Sequence, residues 1–167
     1  MAAIASFRCL ENSFDKFEGA LSSFNGIPHR LEWIKNIYGI DFYNDSKATN
    51  VASTVAGLES FSNKNIFLIA GGDSKNQSLS PLKKYFEKNT ISLLLIGRDA
   101  ELFVRSFETV SLLKITMCNG MKDAVSQAFK QAEKGDIILL SPACASYDMY
   151  KNYIERGDDF KHLVGEL

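Results

Sequence analysis

The sequence predicts an α/β domain in which a mostly parallel sheet carries helices on both faces and a short antiparallel hairpin at one edge. Two observations lead to this prediction. Two short apolar runs, Leu31–Ile34 and Ile40–Tyr43, flank an Asn36–Gly39 turn, which is the pattern of a β-hairpin. Further strand-like runs then alternate with helical patterns, which favours parallel strands connected by helices. These runs are Ile66–Ala70, Leu93–Gly97, Leu112–Met117 and Asp136–Leu140.

Helix signals lie between and after these runs. Ser80 and Pro81 predict the N-cap and first residue of one helix. A stripe at helical spacing predicts a second helix, which Gly135 should end. The stripe consists of Met121, Val125, Ala128, Phe129 and Ala132. A third helix should open just after the last strand and continue through Tyr147, Tyr150 and Tyr153.

The first 24 residues predict a helical lead-in that precedes the sheet. Residues 1–10 are apolar on nearly every side and have no N-cap before them, which is typical of a helix that a larger protein covers. Asn12 can cap the next helix, whose apolar face comprises Phe14, Phe17, Leu21 and Phe24. We expect residues 1–24 to be the remnant of a connection to a missing domain, and residues 25–167 to form the domain itself.

Composition and charge argue against several classes of function. The 167 residues carry a formal net charge of −1, so no global field attracts nucleic acid or an anionic membrane. Three cysteines and two histidines show neither paired spacing nor a zinc pattern, which is typical of a reducing cytosol. The apolar runs are too short to span a bilayer. We expect a cytoplasmic domain that binds neither nucleic acid nor membrane and holds no metal.

Three polar loops follow predicted strands and are the candidates for a binding site. The first, Asn44–Asn50, combines a carboxylate, an ammonium, amides and hydroxyls. The second, Ala70–Lys75, joins paired glycines to a lysine, and the third is Ser141–Ser146. Ligands of open α/β sheets bind beyond the carboxyl ends of the strands, so these loops can converge on one anionic small molecule. No P-loop is present, because Gly-x-x-x-x-Gly-Lys-Ser/Thr does not occur in the chain.

Each candidate side chain also has an ordinary structural interpretation. Asp45 either caps a helix or binds sugar hydroxyls, as acids after strands do in nucleotide sites. Lys47 and Lys75 are either solvated charges or anion contacts, and the glycines before Lys75 let an anion approach the backbone. Ser146 either caps a helix or binds a carboxylate. Arg30 is either a surface charge or a phosphate contact.

Taken together, these loops resemble those of the Mur ligase family. The most specific strings are Asn44-Asp45-Ser46-Lys47-Ala48-Thr49-Asn50 and Leu140-Ser141-Pro142-Ala143-Cys144-Ala145-Ser146. The others are Gly26–Glu32, Ala70–Asp73, Leu95–Arg98, Tyr147-Asp148, Lys151–Tyr153 and Glu155–Gly157. The match covers essentially the whole chain in order. Within the family it is similar to the ligases that add D-glutamate.

The resemblance implies the C-terminal, Rossmann-like domain of a three-domain ligase that acts in bacterial peptidoglycan synthesis, and hence in cell shape and division. The N-terminal domain of such a ligase binds the uridine nucleotide, and the central domain is the ATPase. ATP phosphorylates the alanyl carboxylate of UDP-N-acetylmuramoyl-L-alanine. The amine of D-glutamate then attacks the acyl phosphate, giving an amide, ADP and phosphate. The C-terminal domain would hold D-glutamate and close over ATP.

On the nucleotide side, the resemblance implies that Arg30 contacts the ATP phosphates and Asp45 the ribose, with His29 near the nucleotide. The phosphate-binding loop, a carbamylated lysine and the Mg²⁺ ligands belong to the family's central domain. We therefore expect this chain to contribute no catalytic residue and no metal ligand. We also expect it to be inactive alone.

On the amino-acid side, the resemblance implies that Thr49, Lys75 and Ser146 bind the carboxylates of D-glutamate. Tyr147 and Tyr153 would shape this pocket, and Lys47 would contribute to it. A dicarboxylate suits such a set, because it needs ammonium and hydroxyl donors from separate loops. The chain departs from the family pattern at Ser74, which is usually Gly, and at Tyr153, where Phe is common.

A function of another class is a free-standing, non-catalytic module that binds an acidic metabolite or a nucleotide. The coding DNA upstream of Met1 would separate the two, since an in-frame P-loop indicates a ligase and a promoter with a start signal favours the module. If the chain is part of a ligase, it should bind ATP and D-glutamate only weakly alone, because half of each site would be missing. Micromolar ATP affinity in calorimetry would contradict this expectation.

Overall fold

The computed structural model describes residues 26–61 and 63–167, which contain six strands and five helices. The strands are β1 (Glu32–Ile37), β2 (Ile40–Asn44), β3 (Ile66–Gly71), β4 (Ile91–Ile96), β5 (Leu113–Met117) and β6 (Ile137–Leu140). The helices are α1 (Val51–Glu59), α2 (Ser80–Phe86), α3 (Ala100–Phe107), α4 (Met121–Gln131) and α5 (Tyr153–Gly165). The predicted helical lead-in, residues 1–24, lies outside the described residues.

The strands form a single sheet in the order β1-β2-β6-β3-β4-β5. β1 and β2 pair antiparallel, and every other pair of neighbours is parallel. This arrangement confirms the predicted mixed α/β class with its antiparallel edge hairpin. β6 lies between β2 and β3, so the loops that follow these strands leave adjacent positions at the same edge of the sheet.

Two apolar clusters cover the two faces of the sheet. Leu68 and Leu93 point to the face that α1, α2 and α3 cover, whereas Ile69 and Leu94 point to the face that α4 and α5 cover. All residues of β3 and β6 are buried, because helices exclude water from both faces of the central strands. No helix of the described residues is long and apolar enough to cross a bilayer.

Three predicted helix boundaries were wrong. Leu79, and not Ser80, occupies the N-cap position of α2. α4 ends at Gln131, because Ala132 already has an extended backbone (ψ 145°), so Gly135 is not the residue that ends it.

The third error concerns the helix after β6. It begins only at Tyr153, where the Asn152 side chain accepts hydrogen bonds from the N–H groups of Ile154 and Glu155. Residues 141–152 form an irregular loop that contains a left-handed residue, Ala143 (φ 57°). A left-handed residue cannot continue an α-helix.

Candidate functional site

The three polar loops lie side by side because they leave the adjacent strands β2, β6 and β3. The Asp45 N–H donates to the Leu140 carbonyl (2.7 Å), and the Gly71 N–H donates to the Pro142 carbonyl (2.9 Å). Asp73 and Ala145 exchange two backbone hydrogen bonds of 3.0 and 2.9 Å. The structure thus brings together the three loops that the sequence singled out, with Ser141–Ser146 in the middle.

A buried arginine on α5 ties the first loop to the third. Arg156 is 0% exposed, and its Nε and Nη2 donate to the hydroxyl (3.0 Å) and carbonyl (2.8 Å) of Ser46. Its Nη1 donates to the carbonyl of Cys144 at 3.1 Å. Burial lowers the pKa of Arg156 to about 10, so the guanidinium stays charged at neutral pH. The cation is therefore held by a hydroxyl and two carbonyl dipoles that fix both loops.

The sequence reasoning assigned no role to Arg156, although a signal was present. Arg156, Phe160 and Val164 recur every four residues on α5 and are all buried. A charged residue within such a stripe is almost never buried unless it has partners. A charged residue at this position of the stripe therefore indicates that Arg156 has hydrogen-bond acceptors inside the protein.

Gln77 supplies a second tie, between the second loop and its neighbours. Its Nε2 donates to the carbonyl of Ala143 at 2.6 Å, and its Oε1 accepts the N–H of Val51 at the start of α1 (2.9 Å). One side chain thus links the end of the second loop to the third loop and to the helix that follows the first. The sequence reasoning also missed this residue.

An open cleft of about 420 Å³ lies between the first loop and α1. Its lining includes Arg30, Asp45, Lys47, Ser53, Gly57 and Ser60. Asp45 is 6% exposed, and its two carboxylate oxygens accept the Leu31 N–H (3.2 Å) and the Ser141 hydroxyl (2.8 Å). Burial raises the pKa of Asp45, and these hydrogen bonds and the charge of Arg30 offset part of the rise. Asp45 does not cap α1, since Asn50 is the N-cap residue and accepts the Ser53 N–H at 2.9 Å.

His29 lies behind this cleft and does not line it. Its ring is buried against α5, with Nδ1 3.0 Å from the Asn44 amide nitrogen and Nε2 3.8 Å from the Asp158 carboxylate. The Asn44 oxygen accepts the Ser46 N–H at 3.1 Å, so its nitrogen is the donor to His29. His29 Nδ1 is therefore the acceptor in this contact, and Nε2 is the ring nitrogen whose N–H faces Asp158.

The residues implied to bind D-glutamate occupy all three loops and the start of α5. The Lys47 ammonium lies 3.7 Å from the centre of the Tyr153 ring, and the Lys75 ammonium lies 5.8 Å from the centre of the Tyr147 ring. Lys75 and Tyr147 are exposed, whereas Thr49 is half-buried and Ser146 is buried. These side chains therefore differ in their access to solvent: Lys75 is exposed, whereas Ser146 is enclosed by the protein.

Backbone strain is concentrated in the candidate loops and the turn that precedes β1. Five of the seven non-glycine residues with positive φ in the described part of the chain lie here, with φ angles between 44° and 62°: His29, Leu31, Lys75, Asn76 and Ala143. The other two, Tyr38 and Asn63, lie in turns elsewhere. Each such residue costs about 1 to 3 kcal/mol, and it persists only where the surroundings hold it in place. Residues of this kind cluster at ligand sites, which supports a binding role for this edge of the sheet. Among the described residues, no group of three His, Cys, Asp or Glu side chains could hold a metal ion.

A comparison with known families agrees with this geometry. The family described as "Mur ligase, glutamate ligase domain" matches residues 29–144, which include all six strands, the first two loops and most of the third.

The chain belongs to the Mur ligase family.

Curated relatives support this membership. The UDP-N-acetylmuramoylalanine–D-glutamate ligase of Nitrosomonas europaea is 44% identical over 164 residues, which are 98% of this chain and 34% of that protein. The ligase of the same name from Coxiella burnetii is 39% identical over 170 residues, covering 100% of this chain and 38% of that protein. The chain thus spans about a third of the length of the curated Mur ligases it matches.

Solved Mur ligases share the fold at low sequence identity. UDP-N-acetylmuramate-alanine ligase from Thermotoga maritima aligns over 99% of this chain and 36% of that one, with a TM-score of 0.64 and 14% identity. The MurF ligase from the same organism, solved in complex with ADP, aligns over 99% and 37%, with a TM-score of 0.59 and 15% identity. These neighbours support the C-terminal domain fold of the family.

The packing of His29 predicts that an alanine at Gly157 destabilises the protein, which is unusual for glycine-to-alanine changes within a helix. Alanine normally stabilises a helix relative to glycine, but a Cβ at Gly157 on α5 would overlap the imidazole of His29. We expect Gly157→Ala to lower the free energy of unfolding by about 1 to 3 kcal/mol in urea titrations. Gly165→Ala, in the last turn of the same helix, is the matched control because its Cβ would meet no atom within 4 Å. Equal effects at both positions would contradict the placement of His29.

Proposed function

We propose that this chain is the part of a peptidoglycan-precursor ligase that holds D-glutamate and closes over ATP. One observation supports the proposal: the loops after β2, β6 and β3 are held together by hydrogen bonds, with the Arg30–Asp45 cleft beside the first loop and an exposed lysine, Lys75, on the loop after β3. A cleft and a separate cationic loop on one frame suit an enzyme that joins two substrates. The names of the curated relatives support D-glutamate as the amino acid.

On the nucleotide side, Arg30 would bind phosphate oxygens and Asp45 would accept hydrogen bonds from the ribose. A guanidinium suits phosphate because it donates two parallel hydrogen bonds. Asp45 suits ribose because its carboxylate is fixed by the Leu31 N–H and the Ser141 hydroxyl and borders the cleft. The Mg²⁺ that accompanies ATP would be held by residues outside this chain.

On the amino-acid side, Lys75, Ser146 and Thr49 would hold the two carboxylates of D-glutamate. Binding through the carboxylates leaves the amine free to attack the activated alanyl group, so orientation is the chain's contribution to the reaction. Tyr147 would cover this pocket from one side. Lys47 also lines the Arg30–Asp45 cleft, and it would contribute to the amino-acid side through Tyr153, on whose ring its ammonium lies.

A chimeric ligase tests the proposal. In the chimera, this chain replaces the matching third of the Nitrosomonas europaea enzyme, to which it is 44% identical. We expect the chimera to join D-glutamate to UDP-N-acetylmuramoyl-L-alanine with release of ADP, as measured by mass spectrometry and a coupled ADP assay. The same enzyme without that third should form no product. A folded chimera without product would contradict the proposal and favour the non-catalytic binding module.

Asp45→Asn should weaken nucleotide binding while the hydrogen bonds that hold this side chain are kept. The Asn oxygen can keep the Leu31 N–H, and its nitrogen can donate to the Ser141 hydroxyl, which lies 3.1 Å from the hydroxyl of Thr54 and can turn toward it. In the chimera, we expect the KM for ATP to rise by about tenfold, because a charged acceptor for the ribose is lost. The KM for D-glutamate should stay unchanged. Asp123→Asn on α4, remote from these loops, should change neither.

The stability of the isolated chain gives a second readout for Asp45→Asn. The folded-state pKa of Asp45 is raised, so its contribution to stability is present at low pH and is lost as the pH rises through that pKa. Asparagine does not titrate. The variant should therefore gain stability relative to the wild type as the pH rises, and a constant difference in urea titrations would contradict the buried placement.

A further inference from the structure

Ser74, the residue before Lys75, is buried although the loop around it is polar. It is 1% exposed, and both its backbone N–H (2.8 Å) and its hydroxyl (2.7 Å) donate to the same carboxylate oxygen of Asp99. Asp99 occupies the N-cap position of α3 but makes no side-chain cap hydrogen bond there. Its carboxylate is directed to the Lys75 loop instead of its own helix, although aspartate is among the best N-cap residues.

Arg98 joins this contact to the other side of the same loop. Its Nε donates to Asp99 at 3.0 Å, and its Nη2 donates to Asp73 at 2.6 Å. The same oxygen of Asp73 accepts the backbone N–H of Lys75 at 3.0 Å. Hydrogen bonds from Arg98 and Ser74 hold the pKa of Asp99 well below its usual range. One guanidinium therefore bridges the two carboxylates that hold the backbone on either side of Ser74.

The segment held in this way is strained and exposed. Lys75 and Asn76 have φ angles of 50° and 56°, a left-handed conformation that side chains with a Cβ disfavour. The Gln77 N–H closes the turn on the carbonyl of Ser74 at 3.1 Å. The Gln77 side chain fixes only the far end of this turn, through Ala143 and Val51. Without the contacts to Asp99 and Asp73, the near end would relax to right-handed or extended conformations and move the Lys75 ammonium.

We propose that Ser74, Asp99 and Arg98 form a latch that presets the Lys75 turn, which makes Ser74 and Asp99 positioning residues for D-glutamate. This inference rests on the proposed role of Lys75 in binding that substrate. A preset ammonium binds without first ordering its loop. If the latch is broken, the apparent affinity falls in proportion to the fraction of time that the turn is correctly placed.

The test uses Ser74→Ala in the chimeric ligase. We expect the KM for D-glutamate to rise by about three- to tenfold, as for a turn that is correctly placed in about 10 to 30% of molecules. The KM for ATP and the kcat at saturating D-glutamate should stay within about twofold of the wild type, because the loop is ordered once substrate is bound. Asp99→Asn should show the same split. Ser106→Ala is the matched control, since that hydroxyl donates only to its own helix, at the Leu102 carbonyl (2.7 Å).

Amide NMR relaxation on this chain gives an independent readout of the latch. The N–H groups of Lys75 and Asn76 should become more mobile in Ser74→Ala, while those of α3 stay rigid. An unchanged KM for D-glutamate in Ser74→Ala, beside a raised KM in Lys75→Ala, would overturn the latch and leave the proposed function standing. An unchanged KM for D-glutamate in Lys75→Ala would overturn the proposed role of Lys75 and with it the inference, whatever the mobility of the turn.

Discussion

Replacing Arg156 with methionine is expected to lower the free energy of unfolding of this chain by about 2 to 4 kcal/mol. Methionine retains much of the side-chain volume but removes every donor. The carbonyls of Ser46 and Cys144 would then lose their partner inside the protein, whereas the Ser46 hydroxyl would keep its hydrogen bond to the Tyr153 carbonyl (2.7 Å). Each buried acceptor left unpaired costs about 1 to 3 kcal/mol, and the absence of a buried charge offsets part of the sum.

The matched control for Arg156→Met is Arg105→Met on α3. Arg105 is 76% exposed and pairs only with Glu101 one turn earlier, at 3.0 Å. This substitution should change stability by no more than about 0.5 kcal/mol, as is usual for surface positions. Arg156→Lys should fall between the two, because one ammonium cannot reach both loops in the geometry of a guanidinium. A loss below about 1 kcal/mol in urea titrations of Arg156→Met would contradict the role of Arg156 as the tie between the loops.

Replacing Lys75 with alanine in the chimeric ligase is expected to raise the KM for D-glutamate by about 10- to 100-fold. The reason is the loss of a charge-assisted hydrogen bond to a substrate carboxylate, which alanine cannot replace. The KM for ATP should change little, because the Lys75 loop does not line the Arg30–Asp45 cleft. Steady-state kinetics with one substrate varied at a time measure the two constants.

Lys84→Ala is the control for this substitution, since Lys84 is an exposed lysine on the neighbouring helix α2. It should alter neither KM. Equal increases in both constants for Lys75→Ala would contradict a specific contact with the D-glutamate carboxylate, and would indicate instead a general disturbance of the loops.

The strands could be predicted from the sequence because their signals are local. Short apolar runs such as Ile66–Ala70, separated by turns and helical stripes, specify buried parallel strands without reference to distant residues. The convergence of the three loops could also be predicted, because polar residues that follow parallel strands meet at one edge. The position of β6 between β2 and β3 is a matter of long-range pairing, for which the sequence carries no local signal.

The parts of the site that escaped prediction depend on long-range contacts. Arg156 is joined to Ser46 across 110 residues of chain, and Gln77 to Ala143 across 66. Asn50, and not Asp45, is the N-cap residue of α1. The carboxylate of Asp45 instead accepts hydrogen bonds from Leu31 and Ser141. Local pattern therefore located the loops but could not show what holds them.

Amide NMR of this chain during a titration with D-glutamate tests the central claim most directly. Weak binding by the isolated chain requires millimolar ligand, with L-glutamate as the matched control. The account predicts that the amides of Thr49, Lys75 and Ser146 shift most, and that D-glutamate shifts them more than L-glutamate does. Shifts confined to other surfaces, or equal shifts with both enantiomers, would contradict the claim that these three loops recognise D-glutamate.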